Sequence, residues 1–174
     1  MCSELMISIT KHSKPVIAMI DGIATAAGCQ LISSCDLAYS SENSQFATPG
    51  VNIGLFCSTP MVPLSRTVGK KQAMEMLLTG DLIDAKKALS IGLINNIFEN
   101  KKLEENVLKI ANKIASKSSA TIKIGKDAFY KQKDMSLKEA YDYTSKIMTE
   151  NMLHKDSEEG ITAFLEKRLP NWKD

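Results

Sequence analysis

The chain has 174 residues, 44% of them hydrophobic, enough apolar material to bury one globular core and to exclude a disordered or fibrous class. Twenty-two basic residues against twenty acidic ones leave a formal charge of +2, too balanced to mark a nucleic-acid surface. The four cysteines, Cys2, Cys29, Cys35 and Cys57, have no CxxC spacing, so they read as reduced, mostly buried thiols rather than zinc ligands or disulfides.

In chain order, Met1 to Lys11 place Leu5, Met6 and Ile9 at helical spacing, the last turns of an amphipathic helix that Lys14-Pro15 ends. Val16 to Ile20 is a short apolar run closed by Asp21-Gly22, which predicts a buried strand and a turn. A helix is expected over Ala26 to Ser34, with small residues at its start where backbone can approach a ligand. Asp36 to Ser40 and Gln45 to Thr48 read as strands joined by the polar turn Ser41 to Ser44, and the alternation favours an α/β core. From Pro49-Gly50 to Pro63 neither period holds, which predicts a loop.

Beyond Lys70 the pattern is helical, with Ala73, Met76 and Leu77 before Thr79-Gly80, then Ala85, Ala88 and Leu89 before Gly92. Leu93 to Phe98 returns to a strand. Two stripes follow in the last third: Leu103, Val107, Ile110, Ala111 and Ile114, then Leu137, Ala140, Tyr141, Thr144 and Met148, the second helix opened by a capping box of Ser136 and Glu139. The longest apolar run, Val16 to Ile20, is too short to span a bilayer, and the N-terminus carries no secretory leader pattern. A soluble protein without nucleic-acid partner is expected.

Several chemistries lack their residues. His12 and His154 stand without carboxylates at ligand spacing, so no metal is expected, and no GxSxG elbow occurs. Cys57, Ser58 and Thr59 could act as nucleophile or water anchor, but with no base in view the structural reading is preferred. Asp21 reads as a turn residue and Asp36 as a brace. Val68-Gly69-Lys70-Lys71 lacks the leading Gly and trailing hydroxyl of a P-loop.

The run Lys14 to Leu31, followed by Cys35-Asp36-Leu37-Ala38, resembles the central signature of the crotonase (enoyl-CoA hydratase/isomerase) superfamily. The likeness continues through Phe46 to Pro49, Asn52-Ile53-Gly54, Leu78-Thr79-Gly80, Ala85 to Leu93 and Glu159 to Arg168, in order. It implies an α/β fold of ββα turns in a spiral. Residues 1–100 would be a partial spiral core, truncated at its N-terminus, and 101–174 a C-terminal helical trimerisation or lid region, the two forming one structural domain. Trimers or pairs of trimers would follow.

The resemblance also implies chemistry. Crotonase relatives hold a thioester oxygen with two backbone N–H groups, a preorganised donor pair. The second donor maps to Ala27, where most relatives have glycine; the first lies upstream of Met1. Gln30 and Gly50 take the places of the two glutamates of an ordinary hydratase, so general acid–base hydration is not expected. Phe164 and Lys167 match a helix position that packs on adenine and pairs with CoA phosphates, often of a neighbouring subunit; the alternative is that Phe164 is core with Ile161 and Leu165, and Lys167 a solvated cation. The expected ligand is a coenzyme A thioester, with no cofactor permanently bound. Two readings stay open: an enzyme whose step needs mainly enolate stabilisation, or a non-catalytic acyl-CoA-binding or assembly subunit. The expected compartment is cytoplasmic, or the mitochondrial matrix if a transit peptide precedes Met1 in a eukaryotic product.

Overall fold

The computed structural model describes residues 2–173, so Met1, the first residue of the stretch expected to be helical, and Asp174 lie outside it. The described residues divide into two compact units, residues 2–12 with 16–111, and residues 13–15 with 112–173.

The first unit opens with α1 (Cys2–Lys11), which buries Met6 and Ile9. Two ββ corners then alternate with helices: β1 (Ile17–Ile20), β2 (Ile23–Thr25) and α2 (Ala27–Ser34), followed by β3 (Leu37–Ser41) and β4 (Gln45–Ala47). Within each corner the first strand joins one sheet and the second strand the other. Thus β1 pairs parallel with β3, and β2 parallel with β4. This is the spiral that the resemblance implies.

Ser44 fastens the two corners to each other. Its hydroxyl donates to the Ile20 carbonyl at 3.0 Å and accepts from the Gly22 N–H at 3.3 Å. Gly22 has φ 111°, a backbone state that favours a residue without Cβ. Asp36 is a brace, its Oδ2 accepting from the Val16 N–H at 2.7 Å.

The expected loop from 49 to 63 is mostly structured. Pro49–Ile53 forms a 3-10 turn and α3 spans Ser58–Thr67. Pro63 lies inside α3, where it removes an i→i−4 bond. Burial of Pro60 and Leu64 in the core offsets that loss, a tertiary effect that local periodicity does not register. Then come α4 (Lys70–Thr79), β5 (Ile83–Asp84), α5 (Ala85–Ser90) and β6 (Asn96–Phe98). β5 pairs antiparallel with β4, and β6 closes the first sheet beside β3. One core gathers Ile20, Cys29, Ile32, Phe46, Cys57, Leu64 and Leu77; a smaller cluster sets Tyr39 against Leu103 and Val107 of α6 (Leu103–Ala115).

In the second unit are α7 (Ser119–Gln132), α8 (Leu137–Met152) and α9 (Lys155–Leu165). The capping box of Ser136 and Glu139 forms as expected. The stripe expected on α8 does not become core: Leu137, Tyr141 and Met148 are exposed. The tail after α9 is latched. Arg168 forks onto both Glu159 oxygens at 2.7 and 3.1 Å, and the Asn171 N–H donates to the same carboxylate at 2.7 Å. Lys173 N–H donates to Asp156 Oδ1 and the Trp172 indole N–H to the Ser116 carbonyl, both at 2.8 Å. The Trp172 ring lies where a Cβ on Gly160 would touch it at 3.4 Å.

Candidate active site

β2 and β4 bring Thr25 level with Ala47, and the Ala26 N–H donates to the Ala47 carbonyl at 3.0 Å. The chain leaves the sheet and enters a helix within one residue. Ala26 makes that turn at φ 47°, ψ −110°, a conformation a Cβ disfavours by about 1–2 kcal/mol. α2 therefore begins at Ala27 with no side-chain cap. The first ladder bond inside it runs from the Gln30 N–H to the Ala26 carbonyl at 2.9 Å, so the N–H groups of Ala27, Gly28 and Cys29 precede the ladder. Ala27 is exposed, and the helix dipole adds positive potential at this end. Such a start suits a developing oxyanion.

One turn along, Gln30 is 3% exposed, and its Oε1 accepts from the Cys2 thiol at 3.7 Å. Nothing in the spacing of α1 signals this partner, because Cys2 is itself exposed and lies far from Gln30 in sequence. Gly50 sits in the 3-10 turn and donates its N–H to Cys57 Sγ at 3.3 Å. A Cβ at Gly50 would lie 2.7 Å from the Leu55 carbonyl oxygen and 2.9 Å from Cys57 Sγ. Any side chain there, a glutamate included, requires the loop to move. The space beside Gly50 is filled by a sulfur.

Cys57 thus has a structural place, buried and accepting a backbone N–H. Cys29, on α2 in the same core cluster, is inert for a different reason. Burial pushes its thiol up to about 11, against the lowering effect of the Ser33 hydrogen bond and with a smaller push from Cys57. A thiol held protonated is a poor nucleophile. Thr48 follows β4 directly; its Oγ1 is enclosed without a hydrogen-bond partner among the described residues, as is Ser40 Oγ. No group of three or more His, Cys, Asp or Glu among the described residues could hold a metal ion.

Phe164 and Lys167 belong to the second unit. Phe164 is 82% exposed and Ile161 and Leu165 are exposed too, so the core grouping offered as the alternative for Phe164 does not form. Lys167 is exposed and ends α9 at φ 56°, its N–H donating to the Phe164 carbonyl at 3.2 Å while Arg168 N–H donates to Ala163 at 3.0 Å.

A family model described as enoyl-CoA hydratase/isomerase matches residues 2–174. The chain belongs to this family. It is 52% identical over 171 residues to enoyl-CoA hydratase domain-containing protein 3, mitochondrial, of Rattus norvegicus, covering 98% of this chain and 57% of the relative. Identity to the Homo sapiens protein of that name is also 52%, over 98% of this chain and 56% of the relative. The crystal structure of the human protein matches with a TM-score of 0.96 at 53% identity, over 98% of this chain and 68% of that one. An enoyl-CoA hydratase of Mycobacterium smegmatis superposes equally well, with a TM-score of 0.96 at 44% identity, covering 98% of this chain and 66% of that one. The chain therefore spans somewhat over half the length of the curated relatives it matches. With the family in place, the two sheets fed by successive ββ corners are those of the crotonase fold.

Proposed function

We propose that this enoyl-CoA hydratase/isomerase family chain handles acyl-CoA thioesters, with the Ala27 N–H as one donor to the thioester oxygen. The observation that carries the reading is the start of α2: an exposed, uncapped helix N-terminus entered through a single left-handed residue. One such donor is typically worth about 10²–10³ in rate when charge develops on the oxygen. The other donor of the pair, the first in chain order, is assigned to no residue of this chain. Gln30 and Gly50 supply no titratable proton where hydratases carry acids, so the reaction is one that needs chiefly enolate stabilisation rather than addition of water. The phosphate-facing cation and adenine platform are Lys167 and Phe164, of this chain or of a neighbouring subunit, and the ligand is a coenzyme A thioester that is consumed or released rather than kept as a resident cofactor.

A homo-oligomer, a trimer or pair of trimers, fits the exposed Phe164 and its apolar neighbours. The relatives are named mitochondrial, and a mitochondrial place follows for this protein if its reading frame extends upstream into a leader. Among the described residues no helix is long and apolar enough to cross a membrane.

The test uses the protein expressed from its full reading frame. Titration calorimetry with butyryl-CoA should give saturable heat. Loss of the conjugated thioester absorbance of crotonyl-CoA should run at least about 10²-fold more slowly than with an enoyl-CoA hydratase assayed alongside. Comparable turnover would overturn the account of Gln30 and Gly50. Absence of heat with any CoA ester would remove the thioester reading altogether. Heat without turnover on any thioester would leave the non-catalytic binder, which the missing acids also favour.

A further inference from the structure

Asp21 is the one aspartate of the chain followed directly by glycine. It stands at the corner between β1 and β2, exposed, and its side chain makes no hydrogen bond or ion pair among the described residues. The residue after it offers no shield. Gly22 lacks a Cβ, an added one would meet nothing within 4 Å, and its φ of 111° keeps other residue types out of this position. A free carboxyl group thus lies next to an unhindered backbone nitrogen, the pair from which a five-membered imide closes.

Ser44 restrains that nitrogen. The Gly22 N–H donates to the Ser44 hydroxyl at 3.3 Å while the same hydroxyl donates to the Ile20 carbonyl at 3.0 Å, so a single oxygen bridges the backbone on both sides of Asp21. Ser44 is buried to 1% exposure, which keeps solvent from competing for its hydroxyl. An imide nitrogen carries no hydrogen, so the bond to Ser44 must break before the ring can close. At 3.3 Å that bond is longer than usual and sits at an exposed corner, where local opening is frequent.

We propose that Asp21 is a modification site, converted through a succinimide to isoaspartate, and that the Ser44 hydroxyl gates the conversion. In the closing step the Gly22 nitrogen bonds to the side-chain carboxyl carbon of Asp21, and the hydroxyl of the carboxylic acid departs with the amide proton as water. Water then adds back to the imide. Opening at the side-chain carbon restores aspartate; opening at the main-chain carbon leaves the chain running through the side chain, one methylene longer, with the main-chain carboxyl group free. One water leaves and one returns, and nothing is oxidised or reduced. The added methylene falls between the Ile20 carbonyl and the Gly22 N–H, so Ser44 no longer meets both at their present separation. β2, which begins at Ile23 and leads into the turn at Ala26, then loses its fixed start.

The protein from its full reading frame is kept at neutral pH and physiological temperature beside a synthetic peptide of residues 15–27, and both are sampled by peptide mapping and by labelling with an isoaspartyl methyltransferase. The parent should accumulate isoaspartate at Asp21 with no final change in mass, which separates it from deamidation at Asn43. Ser44→Ala should convert about fivefold faster than the parent, the weight of one hydrogen bond. Asp21→Glu, whose ring would need six members, should stay unmodified. No isoaspartate at Asp21 once the peptide has fully converted would overturn the site, and Ser44→Ala ageing at the parent's rate would overturn the gate. If Ser44→Ala does not fold, the gate is read from the parent, whose conversion must lag the peptide by at least about fivefold, and equal rates overturn it.

Discussion

Ala26 and Gly50 show how single positions shape the start of α2 and the turn that follows β4. The first carries a Cβ where the backbone asks for none; the second lacks a Cβ where none would fit. At φ 47°, ψ −110°, Ala26 holds strain of about 1–2 kcal/mol, more than the roughly 0.4–1 kcal/mol that a glycine adds to the freedom of the unfolded chain. Ala26→Gly should therefore raise the melting temperature, by roughly 2–4 °C for about 1 kcal/mol net. A fall in the melting temperature would contradict the strain assigned to that turn. Both positions were visible in the sequence as members of small-residue clusters, but not their opposite roles. Whether a small residue is strained or simply crowded depends on φ and on neighbours such as Leu55 and Cys57, neither of which a spacing encodes.

At the scale of elements, β1, β3, β4, β6 and α2 were legible because apolar runs of strand length and Gly, Ser and Asn turns are local signals, whereas β2 and β5, three and two residues long, are too short to register as runs. α3 was not, since two prolines and scattered polar residues mask a helix whose stability comes from burying Pro60 and Leu64. The tail beyond α9 is another element that only contacts define, and it responds to acid. Glu159 is held down to about 2, chiefly by the hydrogen bond from the Arg168 side chain and then by the Asn171 N–H. Because its folded value lies below its ordinary one of 4.5, the latch contributes stability above about pH 4.5 and loses it as pH falls through about 2. Trp172, the single tryptophan, reports on it. Its fluorescence should hold steady down to about pH 4.5 and change between there and about pH 2, and Glu159→Gln should give the released signal already at neutral pH. A flat signal across that window, or a Glu159→Gln protein indistinguishable from the parent at pH 7, would show that the carboxylate does not hold the tail.

For the whole molecule, the exposed apolar side chains are the main feature left unpaired within one copy. Met152, Leu153, Phe164, Leu165 and Leu169, all in the second unit, are each more than half exposed, an apolar surface that a monomer rarely leaves to water. We expect the chain to run well above its 19.1 kDa mass in size-exclusion chromatography with light scattering, and Leu153→Lys with Phe164→Lys to shift it toward the monomer. A monodisperse parent at 19.1 kDa would refute this. By itself, the amino-acid sequence determined the family, the succession of β1, α2, β3 and β4, and the start of α2 to within one residue, because these are written in contiguous runs of a few residues. Only the tertiary structure decided that a sulfur fills the space beside Gly50 and that Gln30 is held from one side by Cys2. Those pairs are separated by seven and twenty-eight residues and meet only when helices and strands pack, so the chemistry left at each position is a property of its neighbours in space.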